Sequence, residues 1–168
     1  MIKTSRLTIR PFEESDRDIS LKLLMDPGFM EYSLTGPLSE EQANHRFEEI
    51  LAHSRDGVGK HAIVENISSQ IIGYCGIEPF DLHGQRKLEL GYRIVPQKRN
   101  LGFATEAVQA VAQSFSSELY AYVEMDNLES IKVLKKIGFN NSGQIELYGK
   151  PVFLFESGYS QLNNKGPN

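Results

Sequence analysis

The stretch NLGFATEAVQAV, from Asn100 to Val111, places a glycine and then alanines where a loop turns into a helix with apolar periodicity. Small side chains leave the backbone N–H groups of a first helical turn uncovered. Those groups, together with the helix dipole, attract anions such as phosphates. Close packing of the helix against a sheet would also require small residues, so this stretch alone leaves both explanations open.

Glu89 is a candidate for acid–base chemistry because of the strand around it. The segment LELGYRIV has a period of two, so its side chains alternate between two faces. One face is apolar, with Leu88, Leu90, Tyr92 and Ile94, and the other carries Glu89, Gly91 and Arg93. Glu89 therefore does not face the core with the leucines. An ion pair with Arg93 or a structural hydrogen bond would also explain its place.

Cysteine and histidine supply no further chemistry. Cys75 is the only cysteine, so the chain can form no internal disulfide and no thiol-based metal cluster. Its strand-like surroundings favour a buried thiol that packs as a small hydrophobe. The histidines show no metal-ligand spacing, and they are His45, His53, His61 and His83. We expect no metal site.

The composition is that of a globular protein. The chain has 168 residues, of which 40% are hydrophobic and 24% charged. No apolar run approaches the roughly 20 residues that cross a bilayer, and the start lacks the apolar core of a signal peptide. A net charge of −4 argues against nucleic acid as a partner, although Lys98–Arg99 could bind a phosphate. We expect a cytoplasmic protein with no membrane partner.

Hydrophobic periodicity predicts the element order βααβββαβαββ. RLTIR is the first strand. One helix follows Ser15 and has Ile19 on its apolar side, and a second follows Ser39, whose spacing to Gln42 is that of a capping box. The runs KHAIVEN, QIIGYCGIEPF and KLELGYRIV, joined by ISS and DLHGQR, then predict an antiparallel meander.

The second half of the chain alternates helices with strands. A helix begins near Gly102, followed by the strand LYAYVEM and the helix LESIKVLKKI. Two last strands, FNNSGQIEL and KPVFLFESGY, are joined through Tyr148–Gly149. We expect one domain over residues 1–159 and a polar tail at 160–168.

Three segments resemble the GNAT family of acetyl-coenzyme A-dependent N-acetyltransferases, in particular its RimJ/RimL-like branch. They are TSRLTIRPFEESD, LELGYRIVPQKRNLGFATEA and NLESIKVLKKIGF. In the second, Arg99, Gly102 and Ala104 fill the family pattern (Q/R)xxGx(G/A). The pattern follows a strand, opens a helix and is followed by NxxSxxVLxKxGF, and this combination makes the resemblance specific.

The resemblance implies an α+β fold with acetyl-CoA as cosubstrate. Its mixed, twisted sheet has about seven strands and about four helices, and the cosubstrate is wedged where strands four and five splay apart. Backbone N–H groups would bind the pyrophosphate, and a Cβ at Gly102 would crowd that approach. The residues implied are Arg99, Asn100, Leu101, Gly102, Phe103, Ala104 and Thr105.

The resemblance also implies contacts with the pantetheine arm. Ile94 and Val95 would pair with it through their backbone, as an added strand does. Asn127 occupies the family's polar position after strand five, where its amide can reach the same arm. A helix N-cap is the alternative role for Asn127, and the two roles are compatible.

Acetyl transfer to an amine needs a proton acceptor, stabilisation of an oxyanion and a proton for the departing thiolate. By resemblance, Glu89 accepts the amine's proton, often through water, and a backbone N–H near Val95, freed from sheet pairing, stabilises the oxyanion. Many family members have a tyrosine as acid where this chain has Leu134. We expect Ser130 to donate to the sulfur instead and to line the cosubstrate site. A first-turn serine that satisfies the helix end, or proton loss to water, is the alternative.

Two segments that vary within the family should line the acceptor pocket. They are FMEYSLTGPLS and the turn around ELYGKPV. Met30, Tyr32 and Leu34 are apolar enough to hold an aliphatic or peptide chain, and Glu31 would attract an ammonium. The acceptor stays open among protein N-terminal amines, aminoglycosides, amino acids and polyamines.

Two other function classes stay open. A catalytically silent acyl-CoA sensor would keep the pyrophosphate loop and lack acid–base groups, as Leu134 suggests. A plain interaction module would not bind CoA at all. Exposed strand edges leave a homodimer open.

Overall fold

The computed structural model describes residues 1–55 and 58–158, which contain eight strands and four α-helices. The strands are β1 (Ile2–Lys3), β2 (Leu7–Arg10), β3 (Gly59–Glu65), β4 (Ile71–Leu82), β5 (Gln85–Ile94), β6 (Tyr120–Glu124), β7 (Phe139–Leu147) and β8 (Lys150–Ser157). The helices are α1 (Arg17–Met25), α2 (Glu40–Arg55), α3 (Phe103–Gln113) and α4 (Leu128–Lys136). The tail predicted at 160–168 lies outside the described residues, and the domain limit at 159 stays a prediction.

The strands form one mixed sheet in the order β1-β2-β3-β4-β5-β6-β8-β7. Every pair is antiparallel except β5 with β6. The prediction of about seven strands omitted β1, which pairs Ile2 with Ile9 and Lys3 with Thr8. Two residues are too few to show alternation, so periodicity could not find this strand.

The sheet is split between β5 and β6, which correspond to predicted strands four and five. Their ladder has a single register pair, Glu89 with Tyr120. From there β5 continues to Ile94 and β6 to Glu124, and within the described residues the two strands do not pair with each other again. The predicted splay is confirmed, and it opens a cleft at the carboxyl ends of both strands.

Two hairpins are closed by two-residue turns in which both residues have positive φ. His83 and Gly84 (φ 52° and 82°) join β4 to β5, and Tyr148 and Gly149 (φ 51° and 74°) join β7 to β8. Such turns match the twist of the flanking strands and fix their register. In the first hairpin, that register places Glu78 directly opposite Glu89.

Helices cover both faces of the sheet. On one face α3 and α4 pack against alternate strand residues, and this core includes Leu90, Ile94, Val108, Leu134 and Phe155. On the other face α1 and α2 pack through smaller clusters that include Phe12, Leu24, Phe29 and Phe47. None of these helices, within the described ranges, is long and apolar enough to cross a membrane.

The predicted ends of the first two helices can be compared with the structure. The capping box is confirmed: Ser39 N–H donates to Gln42 Oε1 (2.9 Å) and Gln42 N–H donates to Ser39 Oγ (3.2 Å). The prediction that Ile19 lies on the buried side of α1 is wrong, because Ile19 is 40% exposed, whereas Leu24 is buried. Single exposed apolar residues are common on protein surfaces.

Candidate active site

A cleft of about 1060 Å³ lies where β5 and β6 separate. It is bounded by β5, the start of α3, the first turn of α4, the segment between α1 and α2, and Tyr148 in the β7–β8 turn. Its volume is at the upper limit of usual small-molecule sites. The cleft can therefore hold two reactants together.

The residues Arg99–Thr105, here named the α3 entry loop, form one end of the cleft. Asn100 and Gly102 both have positive φ (61° and 83°), and Gly102 is the N-cap of α3. The first intrahelical bond runs from Glu106 N–H to Gly102 O (3.1 Å). The N–H groups of the residues before Glu106 therefore have no acceptor within the helix.

Glu106 in the first turn of α3 anchors the N-terminal segment. Its carboxylate accepts hydrogen bonds from Thr4 Oγ1 (2.6 Å), Ser5 Oγ (3.1 Å) and Arg6 Nε (2.7 Å). Burial opposes the ionisation of Glu106, but these hydrogen bonds outweigh it and lower its pKa to about 2. Arg6 Nη1 in turn donates to Leu101 O (2.9 Å), so this ion pair braces the α3 entry loop.

The Arg99 side chain braces the same loop from the other side. Its Nη2 donates to Gly28 O (2.7 Å), its Nη1 to Glu31 Oε2 (2.8 Å) and its Nε to Ile94 O (3.1 Å). These bonds hold the segment after α1 against the end of β5. Because the guanidinium is occupied by protein groups, the loop presents its backbone, rather than this side chain, to an anion.

The backbone at the end of β5 differs from one expectation. Val95 N–H donates to Ile72 O (2.8 Å) and so is not freed from sheet pairing. The freed N–H expected near Val95 is therefore not that of Val95 itself. The β4–β5 ladder continues one residue beyond β5 itself, on the edge of the strand opposite to the cleft.

The start of α4 borders the cleft opposite β5. Asn127 Oδ1 accepts from Ser130 N–H (3.2 Å), which confirms its N-cap role. Tyr92 reaches across from β5, and its hydroxyl donates to Ser130 O (3.3 Å). Burial raises the pKa of Tyr92. Leu134 is buried in the core and also lines the cleft, but its aliphatic side chain has no proton to donate.

Four charged side chains, here named the charged floor, lie on the face of the sheet that carries α2. They are Arg46, Lys60, Glu78 and Glu89. Lys60 Nζ lies 3.3 Å from Glu78 Oε2 and 3.6 Å from Glu89 Oε2. Arg46 Nη2 donates to both carboxylate oxygens of Glu78, each at 3.0 Å. Glu78 is thus held by two cations, and Glu89 is held by one.

Electrostatics favours the charged forms of Lys60 and Glu78 although both side chains are buried. Burial acts to lower the pKa of Lys60, but the carboxylates of Glu89 and Glu78 outweigh it and raise that pKa. Burial likewise acts to raise the pKa of Glu78, and Lys60 and Arg46 outweigh it and lower that pKa. Removing one partner from such a set leaves an uncompensated buried charge, which is costly.

Gly91 makes room for this arrangement. A Cβ added at Gly91 would lie 2.2 Å from Lys60 Nζ and 2.6 Å from Glu89 Oε1. Both charged groups therefore lie directly over the Gly91 backbone. The Glu89 carboxylate leans along β5 into the cleft.

Comparison with known proteins now decides the family. The acetyltransferase (GNAT) domain model matches residues 6–140, from β2 through α4 into β7. The chain belongs to this family. The match includes the α3 entry loop and the charged floor, and the enzyme is an acetyl-CoA-dependent N-acetyltransferase.

Individual relatives agree with this assignment. The chain is 31% identical over 154 residues to the uncharacterized N-acetyltransferase p20 of Bacillus licheniformis, covering 88% of this chain and 86% of that one. Spermidine N-acetyltransferase from Vibrio cholerae, solved with CoA and spermine, superposes with a TM-score of 0.77 at 20% identity (96% and 100% covered). RimL, a ribosomal L7/L12 alpha-N-protein acetyltransferase solved with CoA, gives 0.73 at 18% (91% and 94%). At these identities the two structures support the fold alone.

The segment FMEYSLTGPLS, which is expected to line the acceptor pocket and is here named the acceptor segment, borders the same cleft as the charged floor. Tyr32 and Leu34 line the cleft, and Met30 lines it while packing with Leu24 and Phe29. Glu31 is paired with Arg99 and is therefore not free to attract an ammonium. Of the expected acceptor residues, three meet the cleft and the fourth supports its wall.

Sequence reasoning found Glu89 but missed Lys60, Glu78 and Arg46. The sequence did contain a signal for Glu78. Once HG is identified as a two-residue turn, counting four residues outwards on each strand from the pair Leu82–Gln85 reaches Glu78 and Glu89. The positions of Lys60 and Arg46 depend on contacts between distant segments, for which one sequence gives no register.

Proposed function

We propose that this acetyltransferase moves the acetyl group of acetyl-CoA directly to a primary amine within a ternary complex. The amine nitrogen attacks the thioester carbon, the carbon–sulfur bond breaks, the amine loses a proton and the thiolate gains one. The observation that carries the proposal is the cleft itself. It has unpaired helix N–H groups at one end and a carboxylate at the other, within a single cavity.

The α3 entry loop would bind the CoA pyrophosphate through its backbone. The first-turn N–H groups and the helix dipole supply the attraction. We assign this role to Arg99, Asn100, Leu101, Gly102, Phe103, Ala104 and Thr105. The bracing by Arg6 and Arg99 supports the assignment because it fixes the loop before a ligand arrives.

The pantetheine arm would lie in the gap between β5 and β6. Ile94 borders that gap at the end of β5, and Asn127 borders it from the start of α4. Val95 follows, but its N–H is bonded to Ile72 O and its carbonyl accepts from Lys98 N–H. We therefore assign the backbone pairing with the arm to Ile94. Since Val95 N–H points to β4, alternation along the strand directs the Ile94 N–H to the gap. We assign oxyanion stabilisation to that group.

Glu89 would accept the proton of the amine, directly or through one water. Its carboxylate leans into the cleft over Gly91 and has Lys60 on one side only. Glu78, by contrast, is engaged by two cations. Glu89 is therefore the carboxylate of the charged floor that is better placed to bind a third group.

Ser130 would donate to the departing sulfur. It lies in the first turn of α4 at the border of the cleft, and Tyr92 holds its carbonyl from β5. Leu134 supports this role, because a leucine in the position of the usual acid has no proton to give to the sulfur.

Several finer assignments rest on the sequence motifs. We infer the RimJ/RimL-like branch from GFATEA and NxxSxxVLxKxGF, and an acceptor that is a small molecule or a peptide. Met30, Tyr32 and Leu34 would contact the acceptor, and Glu31 would act through Arg99. A cytoplasmic location and a homodimer formed through strand edges stay predictions.

A panel of amines tests the proposal. Each amine is incubated with enzyme and acetyl-CoA, and thiol release and product mass are measured together. We expect thiol release that depends on an amine and a product heavier by one acetyl group. Tight CoA binding without amine-dependent release would instead identify a silent acyl-CoA sensor, the alternative that rests on Leu134 in place of a tyrosine acid.

A further inference from the structure

Arg93 is a cation of the cleft that pairs with no carboxylate of residues 1–55 and 58–158. It lies on β5 and borders the cleft, and its Nε donates to Tyr74 OH (2.9 Å). The other two arginines that border the cleft differ, since Arg46 binds Glu78 and Arg99 binds Glu31. The terminal nitrogens of Arg93 therefore keep their hydrogen-bonding capacity.

The Arg93 side chain is held in place. Tyr74 is its cross-strand partner on β4 and also packs edge-on against Phe29, with ring centroids 5.7 Å apart. The Tyr74 hydroxyl, which accepts the hydrogen bond from Arg93 Nε, is thus held in place by both the sheet and the acceptor segment. A guanidinium fixed through Nε presents its two terminal nitrogens as a planar fork, the geometry that binds a carboxylate through two parallel hydrogen bonds.

Arg93 lies at a useful distance from Glu89. The two residues share one face of β5, with Gly91 between them. Because the Glu89 carboxylate lies over Gly91, it is displaced towards Arg93. Two residues of strand, about 7 Å, separate Gly91 from Arg93. An ammonium beside Glu89 and an anion beside Arg93 can therefore belong to one small molecule.

We propose that Arg93 binds a carboxylate of the acceptor, so that the acceptor is an amine of the amino-acid class. This inference rests on the proposed function and names its substrate class. Phe29, Met30 and Leu34 border the same part of the cleft and offer an apolar wall to the rest of the molecule. A polyamine has no anion for Arg93 and would bring a second positive charge towards it, which is unfavourable.

Matched acceptors test the inference on the unaltered enzyme. The standard amino acids are assayed with acetyl-CoA, and each reactive one is compared with its carboxamide and its decarboxylated amine. An acidic N-terminal peptide amide distinguishes a side-chain carboxylate from that of a free amino acid. We expect kcat/KM at least about tenfold higher for the free acid. The carboxamide has the less basic amine, so more of it is unprotonated at neutral pH, and the preference for the free acid runs against this supply of free amine.

Arg93→Gln removes the fork and keeps a polar side chain. We expect kcat/KM for the amino acid to fall roughly 10- to 100-fold, chiefly through KM, as for a lost hydrogen-bonded charge pair. Values for the carboxamide and the KM for acetyl-CoA should stay within about twofold. Arg86→Gln, an exposed arginine on the same strand, is the matched control and should change neither.

Calorimetry separates this inference from the proposed function. Amino acids are titrated into CoA-saturated wild-type and Arg93→Gln protein. Binding that the variant loses, without any acetylation, would support the anion site and overturn the proposed function. If the enzyme acetylates amides or polyamines as fast as amino acids, and Arg93→Gln leaves these rates unchanged, the inference is overturned and the proposed function is kept. An equal loss for acid and amide in the variant would also overturn it.

Discussion

The two ends of the cleft hold charge in different ways. At the α3 entry loop, the side chains of Arg6 and Arg99 are hydrogen-bonded to carboxylates and carbonyls of the protein. The backbone N–H groups at the start of α3 are the donors that stay available to the proposed ligand. At the charged floor the side chains themselves face the cavity. In the proposed function, the first end binds the CoA pyrophosphate, which is the same in every reaction, and the second end binds and deprotonates the acceptor.

This difference teaches that side-chain substitutions should act unequally at the two ends. A site made of backbone groups tolerates most side-chain substitutions. It is disturbed only where the backbone has an unusual conformation, as at Gly102 with its positive φ. A side-chain site is sensitive to the loss of a single charge. Four substitutions test the contrast.

Glu89→Gln should have the largest effect, because it removes the proposed proton acceptor from the charged floor. Turnover near pH 7 should fall roughly 100-fold or more, and less at high pH, where more of the amine is already free. CoA affinity should be unchanged. Glu124→Gln, another glutamate that borders the cleft, is the control. An equal loss at every pH would make Glu89 a structural residue and remove the contrast.

Gly102→Val should break the other end. We expect CoA affinity to fall about tenfold or more, because a branched side chain stands where phosphate must approach. The substitution also strains a residue with φ of 83°. Gly84→Val carries the same strain at φ 82° in a distant turn and shows how much of the loss comes from general destabilisation of the fold. Titration calorimetry with CoA, and with ATP to test selectivity, measures the effect, and equal CoA binding by both variants would contradict the loop assignment.

Ser130→Ala sharpens the contrast at the border between the two ends. Loss of a hydrogen bond to the developing thiolate should cost about 1 to 2 kcal/mol, or roughly five- to thirtyfold in rate, with acetyl-CoA affinity nearly unchanged. Turnover and melting temperature are measured on one preparation. Reduced stability with normal turnover would remove Ser130 from the mechanism and leave it a structural role in the first turn of α4.

Glu106→Gln tests the bracing and should have the smallest effect on chemistry. The folded-state pKa of about 2 lies below the ordinary 4.5, so the carboxylate adds stability above pH 4.5 that is lost as pH falls towards 2. The variant should lose about 1 to 3 kcal/mol of unfolding free energy at pH 7 and much less near pH 3. Denaturant unfolding at both pH values measures this, and a difference independent of pH would contradict it.

The sequence predicted the α3 entry loop better than the charged floor, for a physical reason. The need for a small residue at Gly102 and the turn at Tyr148–Gly149 are predicted from neighbouring residues alone. The other turn is predicted only as the longer connection DLHGQR, of which His83 and Gly84 form the turn. The contact of Lys60 with Glu89 joins strands that are distant in the chain, and Arg46 reaches them from a helix. The pairing of Val95 with Ile72 likewise depends on where the β4–β5 ladder ends.

The single register pair between β5 and β6 has a consequence for the order of folding. The β4–β5 hairpin closes through a local two-residue turn, whereas the parallel β5–β6 contact must wait for the crossover through α3. Glu78 and Glu89 are thus brought together by the fast, local event. The gap in which we propose that the cosubstrate binds is formed by the slow, non-local event. We expect amide exchange to be slowest along the hairpin and fastest at the edges of the gap, and CoA to retard mainly the latter.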